Sequence, residues 1–450
     1  VSSDRQIFLA GYILFPGNHF AGAWRHPYSE RDFNDRALFE DAARTLERAK
    51  FDMAFIPETL AYNPAFARYG LSNAIKHDPT QLASVIAGAT RHLGIGVTLS
   101  ASFTAPYHLA RTLGSLDQFS GGRVAWNIIM SRGAPTYANF PFVEELEREE
   151  LYDRGDEVVE ATVALWDSWQ NDALVVDKES GVFVDPDKVE TPDYQGKYVQ
   201  VKGPLTLPPS PQGKPVLIQA GDSPRGRQFG GKWAELVFAI ENNEEDLRAK
   251  RNDLRRLAAE AGRDPDSIKL IAAVQPIVGE TTEIARARQK YLTSLLDTDA
   301  AITFLSHFVR TDFTGLSPDT TFTEAVSARS TDENAGVRLL YNLRKLAAGS
   351  GESLDGGLTL GDVAKTFSAS EFTPQIVGNP SEIADQLIHL FEAEAVDGYV
   401  LSPTHFPGAF DDFARAVVPE LQRRGVFRTE YSDTTLRGNI TGTKWTDGRR

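Results

Sequence analysis

"LGIGVTLSASFTAPYHLARTLGSLDQFSGGRVAWNIIMS", residues 93–131, places two apolar runs on either side of a segment with helical spacing. The runs "LGIGVTLSA" (93–101) and "RVAWNIIMS" (123–131) lack strict alternation of polar and apolar residues, so each reads as a strand covered on both faces, as in a parallel sheet. "PYHLARTLGSLDQFS" between them has the 3.6-residue period of a helix and supplies the crossover that parallel strands require. The stretch is one βαβ unit, and the fold depends on how often it recurs.

Working outward, "IFLAGYILF" (7–15) precedes a helix over 33–49, and "FDMAFIPE" (51–58) precedes one from about Pro79 to Thr90. Beyond the unit come "PVLIQAG" (215–221), "LVFAI" (236–240), "IKLIAAVQPIVG" (268–279) and "DGYVLSP" (397–403), each with a helix after it. Eight strand-to-helix alternations predict an α/β fold, a (β/α)8 TIM barrel whose chemistry gathers at the carboxyl ends of its strands. A doubly wound sheet is the competing architecture. The barrel reading makes residues 1–450 a single domain with insertions at about 171–213 and 297–370 and a tail at 428–450. The first insertion holds a small hairpin in "TPDYQGKYVQVKGP"; insertions of this length are where lids and binding loops reside.

Composition narrows the function. The 450 residues carry a formal charge of −15, which repels nucleic acid and anionic membrane surfaces. Cysteine is absent, so disulfides, thiolate catalysis and cysteine-held metals are excluded. There is no His-Glu-x-x-His, no Walker loop and no Gly-x-Gly-x-x-Gly after a strand, so neither a catalytic metal nor a pyridine nucleotide held by the chain is expected. No apolar run approaches the roughly 18 residues of a membrane span, and a cytoplasmic protein is expected.

The strand ends carry hydrogen-bonding groups: His19 after the first, Glu58 at the second, Ser100 and Ser102 at the third, Asn127 and Ser131 on the fourth, Ser223 after the fifth, and Asn242 or Asn243 after the sixth. "GDSPRG" (221–226) breaks a strand into a glycine-bracketed turn ahead of a helix. Such a junction is either an anion cradle, built from close backbone approach and unpaired helix N–H groups, or an ordinary turn. Arg225 and Arg227 either add positive charge there or are solvated; Arg225 also breaks the Gly-x-Ser-x-Gly pattern of a nucleophile elbow. Trp24, Phe55, Phe103 and Trp126 form either an apolar pocket or ordinary core.

"PYHLARTLGSLDQFSGGRVAWNIIMS", "ANF", "LYDRGDEVVEATVALWDSW", "GKYVQVKGPLTLPPSPQGKPVLIQAGDSPRGRQFGGKWAELVF" and the late "DTTLR" together resemble the bacterial luciferase-like flavin monooxygenases. The resemblance spans nearly the whole chain, and is to the nitrilotriacetate, dibenzothiophene sulfone and long-chain alkane monooxygenase group. It implies a two-component enzyme that takes FMN in its reduced form, FMNH2, from a separate NAD(P)H:flavin reductase, uses O2 to oxygenate a small organic substrate, and assembles as a homodimer or homotetramer. It also implies that the anion at the turn is the FMN phosphate, held by Ser223 and the backbone around Ala220, Gly221 and Asp222. Family flavin positions match at Glu58, Thr98, Ser131, Arg148, Tyr152 and Ser223, with Ser102 on the same strand face as Thr98 and Asn127 beside the ring.

Each residue has a plainer reading. Asn127 is otherwise a buried amide satisfying backbone groups, Tyr152 a packing residue and Ser223 a helix cap. His19 and His307 are placed with Asn127 as catalytic, or are surface histidines. Three positions depart from many relatives: Glu58 replaces Asp, Arg148 replaces His, and Met130 replaces a threonine before Ser131. A deazaflavin hydride-transfer enzyme of the same fold and a non-catalytic flavin-binding protein are the alternatives.

Overall fold

The computed structural model describes residues 5–14, 19–29, 32–71, 75–241, 243–309, 311–329, 358–371 and 373–442. Its strands are β1 (Phe8–Tyr12), β2 (Met53–Ile56), β3 (Gly94–Ser100), β4 (Val124–Ile129), β5 (Tyr194–Gln195), β6 (Gln200–Val201), β7 (Val216–Gln219), β8 (Leu236–Ala239), β9 (Lys269–Val278), β10 (Gln375–Gly378) and β11 (Gly398–Leu401). Eight of them, β1-β2-β3-β4-β7-β8-β9-β11, pair in parallel and close into a ring through β8–β9 and β11–β1. These are the eight apolar runs of the sequence, and the closure decides for the TIM barrel over the doubly wound sheet.

Alternation along each strand builds the two cores. Phe8, Ala10, Met53, Phe55, Ala125, Val216, Ile218, Leu236, Ile271 and Val400 share one apolar cluster, the barrel interior. The residues between them, such as Leu9, Ala54, Val97, Trp126, Leu217 and Val237, face outward and pack under the helices. Parity therefore corrects the aromatic grouping offered above. Trp126 is fully buried on the outer face, edge-on to Trp166 at 6.3 Å, whereas Phe55 faces inward, and Trp24 is 47% exposed. They do not line one pocket.

One strand escaped the sequence reading. β10 pairs with the last four residues of β9, from Gln375↔Gln275 to Gly378↔Val278, where β9 extends past the ring. "QIVG" has only two bulky apolar residues, and its partner is a strand extension that no local pattern reveals.

The hairpin expected in the first stretch outside the rhythm is β5–β6, with Tyr194 opposite Val201. Of residues 297–370, the described part contains the helices Thr298–Val309, Phe322–Arg329 and Leu360–Ser368, while 330–357 lie outside the described residues. These helices bury Phe304, Phe322 and Phe367 with Phe20 and Phe66 in a cluster of their own, which joins the segments following β1, β2 and β9. The stretch read as a tail from residue 428 is packed as far as 442: Thr435 caps the helix Leu436–Thr441, and Leu436 enters the barrel interior from the amino-terminal end. Among the described residues no helix is long and apolar enough to cross a membrane.

Candidate active site

Polar side chains replace apolar ones at the carboxyl end of the barrel. Six buried atoms there have no hydrogen-bond partner among the described residues: Ser102 Oγ, Asn127 Oδ1, Gln219 Oε1, Glu241 Oε2, Gln275 Nε2 and Ser402 Oγ. They come from six of the eight ring strands or the residues just beyond them. Each such atom costs about 1–3 kcal/mol when left unpaired, so their concentration at one rim marks a surface prepared for a ligand. Asn127 and Thr98 sit opposite each other on β4 and β3, and Asn127 Nδ2 donates to Thr98 Oγ1 at 3.0 Å, aiming the free amide oxygen.

The turn after β7 is tight. Ser223 caps the helix Pro224–Trp233, its Oγ accepting from Gly226 N at 3.1 Å. A Cβ on Gly221 would lie 2.3 Å from Gln219 Nε2 and 2.7 Å from the Tyr152 hydroxyl, and one on Gly226 would lie 2.8 Å from that hydroxyl. The two glycines thus bring the backbone down onto Tyr152; in the first turn Pro224 has no N–H and those of Gly226 and Arg227 are taken by Ser223, which leaves that of Arg225 for a ligand. Ala220 and Asp222 are exposed, while Ser131 and Tyr152 are half-buried. Arg148 is exposed at the start of the helix Arg148–Trp166, one turn before Tyr152 and on the same face.

The charges offered at this turn are engaged elsewhere. Arg225 donates to Asp153 at 2.9 Å and Asp156 at 2.6 Å, and Arg227 pairs with Asp253 at 3.3 Å. Met130 turns away from the rim: a Cβ on Gly155 would lie 2.2 Å from its Cε, so the substitution before Ser131 fills space under a helix.

On the opposite side of the mouth stand Tyr12, His19, Glu58, Lys76 and Glu371. His19 Nδ1 meets Thr373 Oγ1 at 3.2 Å, and its ring lies 4.9 Å from that of Tyr12. Burial, and then the charge of Lys76, pulls His19 down to about 4, so its imidazole is neutral at neutral pH. Burial pushes Glu58 up to about 7, with Asp78 adding to the rise and Lys76 and the Thr59 N–H opposing it. Burial pulls Lys76 down to about 7 against Glu371 and Glu58. Asn242 lies outside the described residues, and Asn243 caps the helix Glu244–Glu260. His307 is exposed on its helix, edge-on to Phe66 at 4.6 Å.

Sequence reasoning missed Gln219, Gln275, Ser402, Lys76 and Lys250. For the two glutamines a signal existed: each interrupts an otherwise apolar run, "PVLIQAG" and "IAAVQPIVG".

Comparison with known proteins follows the same line. The family model for luciferase-like monooxygenases matches residues 19–397. The chain is 40% identical over 450 residues to a dibenzothiophene-sulfone monooxygenase of Rhodococcus erythropolis (strain XP), covering 98% of this chain and 97% of the relative. It is 30% identical over 456 residues to nitrilotriacetate monooxygenase component A of Aminobacter aminovorans, covering 98% and 97%. The crystal structure of a riboflavin lyase, RcaE, with modified FMN and riboflavin superposes with a TM-score of 0.84 at 30% identity, covering 98% of this chain and 96% of that one.

Proposed function

The chain belongs to the luciferase-like monooxygenase family, and from that premise we propose that it is the oxygenating component of a two-component, FMN-dependent monooxygenase. The observation that carries this reading is the rim of unpaired polar atoms beside a glycine-lined helix amino terminus, which suits a ligand with a phosphate at one end and a polar-edged ring at the other. The phosphate goes to Ser223, the N–H groups of Gly221, Asp222, Ser223 and Arg225, and the Tyr152 hydroxyl, with Arg148 on the approach. The ring edge goes to Asn127, with Thr98, Ser102 and Ser131 around it and Glu58 opposite.

When bound, reduced FMN supplies the two electrons with which O2 is divided, one oxygen atom entering the substrate and the other leaving as water. The chain's residues position and shield. Asn127, held by Thr98, presents a fixed amide to the ring, and neutral His19 offers one ring N–H to a reacting oxygen while its other nitrogen is engaged near Thr373. The segments after β1, β2 and β9 share the second apolar cluster and cover the mouth, limiting water. Because burial pulls it down to about 4, His19 is uncharged at neutral pH, which favours hydrogen-bond donation over release of a stored proton.

Substrate chemistry follows from charge. Glu58 and Glu371 face one lysine, Lys76, so a polycarboxylate such as nitrilotriacetate would be repelled. Tyr12, Phe55 and Phe238 form a column of stacked rings at centroid spacings of 5.2 and 6.3 Å beneath the mouth. An uncharged aromatic organosulfur compound, such as the dibenzothiophene sulfone for which the 40% identical relative is named, suits this setting. A separate flavin reductase as electron source is supported by the relative named as component A.

The test is turnover of dibenzothiophene sulfone with NADH, a flavin reductase, FMN and 18O2. One labelled oxygen atom in the product is expected. Unlabelled product, or turnover with NADH in the absence of flavin, contradicts the reading.

Glu58 gives the reading a pH signature. As pH rises through about 7 this carboxyl ionises next to the ring and weakens binding of anionic reduced FMN. Lys76 beside it loses its charge over the same range, so affinity is expected to fall between pH 6 and 8 by several-fold in the wild type, and Glu58→Gln is expected to lose the Glu58 share of that slope in the same titration.

A further inference from the structure

We propose that Lys250 is the positioning residue that lets the Ser223 turn accept a phosphate, by offsetting part of the charge of the two carboxylates, Asp222 and Glu241, that stand beside it. The inference rests on the FMN reading above and adds a charge to it that the turn itself does not contain.

A helix amino terminus favours anions, but this chain places an aspartate immediately before the cap and a glutamate just past β8. Without compensation, two negative charges would oppose a phosphate dianion. Arg225 and Arg227 do not compensate them, because each is already paired with aspartates of other helices. Lys250, from the second turn of the helix Glu244–Glu260, reaches between them: its Nζ lies 2.8 Å from Glu241 Oε1 and 3.1 Å from Asp222 Oδ1. Its side chain is only 5% exposed, and it is the only lysine classed as buried among the described residues.

Lys250 leaves the cluster one negative charge in excess, so it reduces the opposition to an anion without reversing it. Beneath the turn the Gln219 amide presents its Nε2, a donor, toward Gly221. Asp222 is 63% exposed, so its carboxylate is free to move aside when an anion enters, leaving Lys250 to balance Glu241 alone. Lys250 also ties the turn after β7 to the turn after β8.

A structural prop and a charge device differ in what they do to a flavin with no phosphate. Oxidised FMN and riboflavin are titrated, by flavin fluorescence, into the wild-type chain and the variants Lys250→Met, Lys250→Arg and Asp222→Asn. Lys250→Met is expected to weaken FMN about tenfold or more, the size of one charge-assisted contact, and riboflavin less than twofold. Asp222→Asn, at an exposed position that leaves folding intact, is expected to tighten FMN about threefold with riboflavin unchanged. Lys250→Arg is expected to stay within threefold of wild type for both. Equal shifts for FMN and riboflavin, or weaker FMN binding by Asp222→Asn, overturn the role of Lys250 alone. A wild-type chain with no preference for FMN over riboflavin overturns the phosphate reading of the turn, and the role of Lys250 with it.

Discussion

Ser223→Glu is expected to lower the affinity for FMN at least about a hundredfold, or roughly 3 kcal/mol. The glutamate carboxylate would take the position in front of the first-turn N–H groups that the phosphate requires, adding like-charge repulsion to steric exclusion. The fold should tolerate it. A negative charge at a helix amino terminus is itself favourable, which offsets the roughly 1 kcal/mol lost with the serine cap. Equilibrium titration with FMN, alongside a thermal melt, separates the two effects: a large fall in affinity with a melting temperature within a few degrees of wild type is the expected pair of results. Unchanged affinity would place the anion elsewhere.

The second large effect is on stability, at the other end of the barrel. Arg437 belongs to the "DTTLR" stretch, and its side chain is 16% exposed against 22% for its partner Glu235. Nε and Nη2 each donate to Glu235 at 2.8 Å, and Nη1 donates to Lys214 O at 2.8 Å and also to Gln212 O. One guanidinium therefore fastens the helix that plugs the barrel floor to the start of β7 and to the turn before β8. Arg437→Met leaves Glu235 in a poorly solvated place without its countercharge, and should cost about 3–4 kcal/mol in urea unfolding at pH 7. Arg437→Met combined with Glu235→Leu should recover part of that loss, because Glu235 is no longer stranded while Arg263 and the Leu217 N–H lose their contact with it.

The pH dependence has a definite sign. Burial alone would raise the Glu235 carboxyl, but the charge and hydrogen bonds of Arg437 outweigh it and hold the group below the usual glutamate range. In the wild type this contributes stability that is present above the unfolded-state value and lost as pH falls through the lowered one. In Arg437→Met the largest opposing causes are gone and only the Leu217 N–H and the charge of Arg263 still oppose burial, so the deficit is largest at neutral pH and shrinks as pH falls and Glu235 takes up a proton. A deficit independent of pH would show that packing, and not the ion pair, holds the plug.

Much of this was legible beforehand, and the exceptions have particular causes. The eight ring strands could be read because strands buried on both faces appear as continuous apolar runs. β10 could not, since its four residues gain their place by pairing with an extension of β9 rather than through a pattern of their own. Period-two parity was enough to turn Trp126 outward once Asn127 was taken as inward, but grouping the aromatics by chemical type hid this. The Ser223 turn was visible from its glycines. The charges around it were not: Arg225 finds its aspartates about 70 residues away in sequence, and Lys250 reaches the turn from a helix whose local sequence is dense in ordinary surface charge. Contacts between distant segments decide which of several like residues stands at the turn, and a linear pattern does not contain that information.

The central claim is that FMN lies across the carboxyl end of this barrel with its phosphate on the helix Pro224–Trp233, and a crystal structure of the chain soaked with FMN tests it most directly. The account predicts phosphate oxygens within hydrogen-bond distance of Ser223 Oγ and the Tyr152 hydroxyl, and the ring edge against the Asn127 amide. A flavin bound with its phosphate away from Ser223, or seated anywhere but this rim, would contradict it.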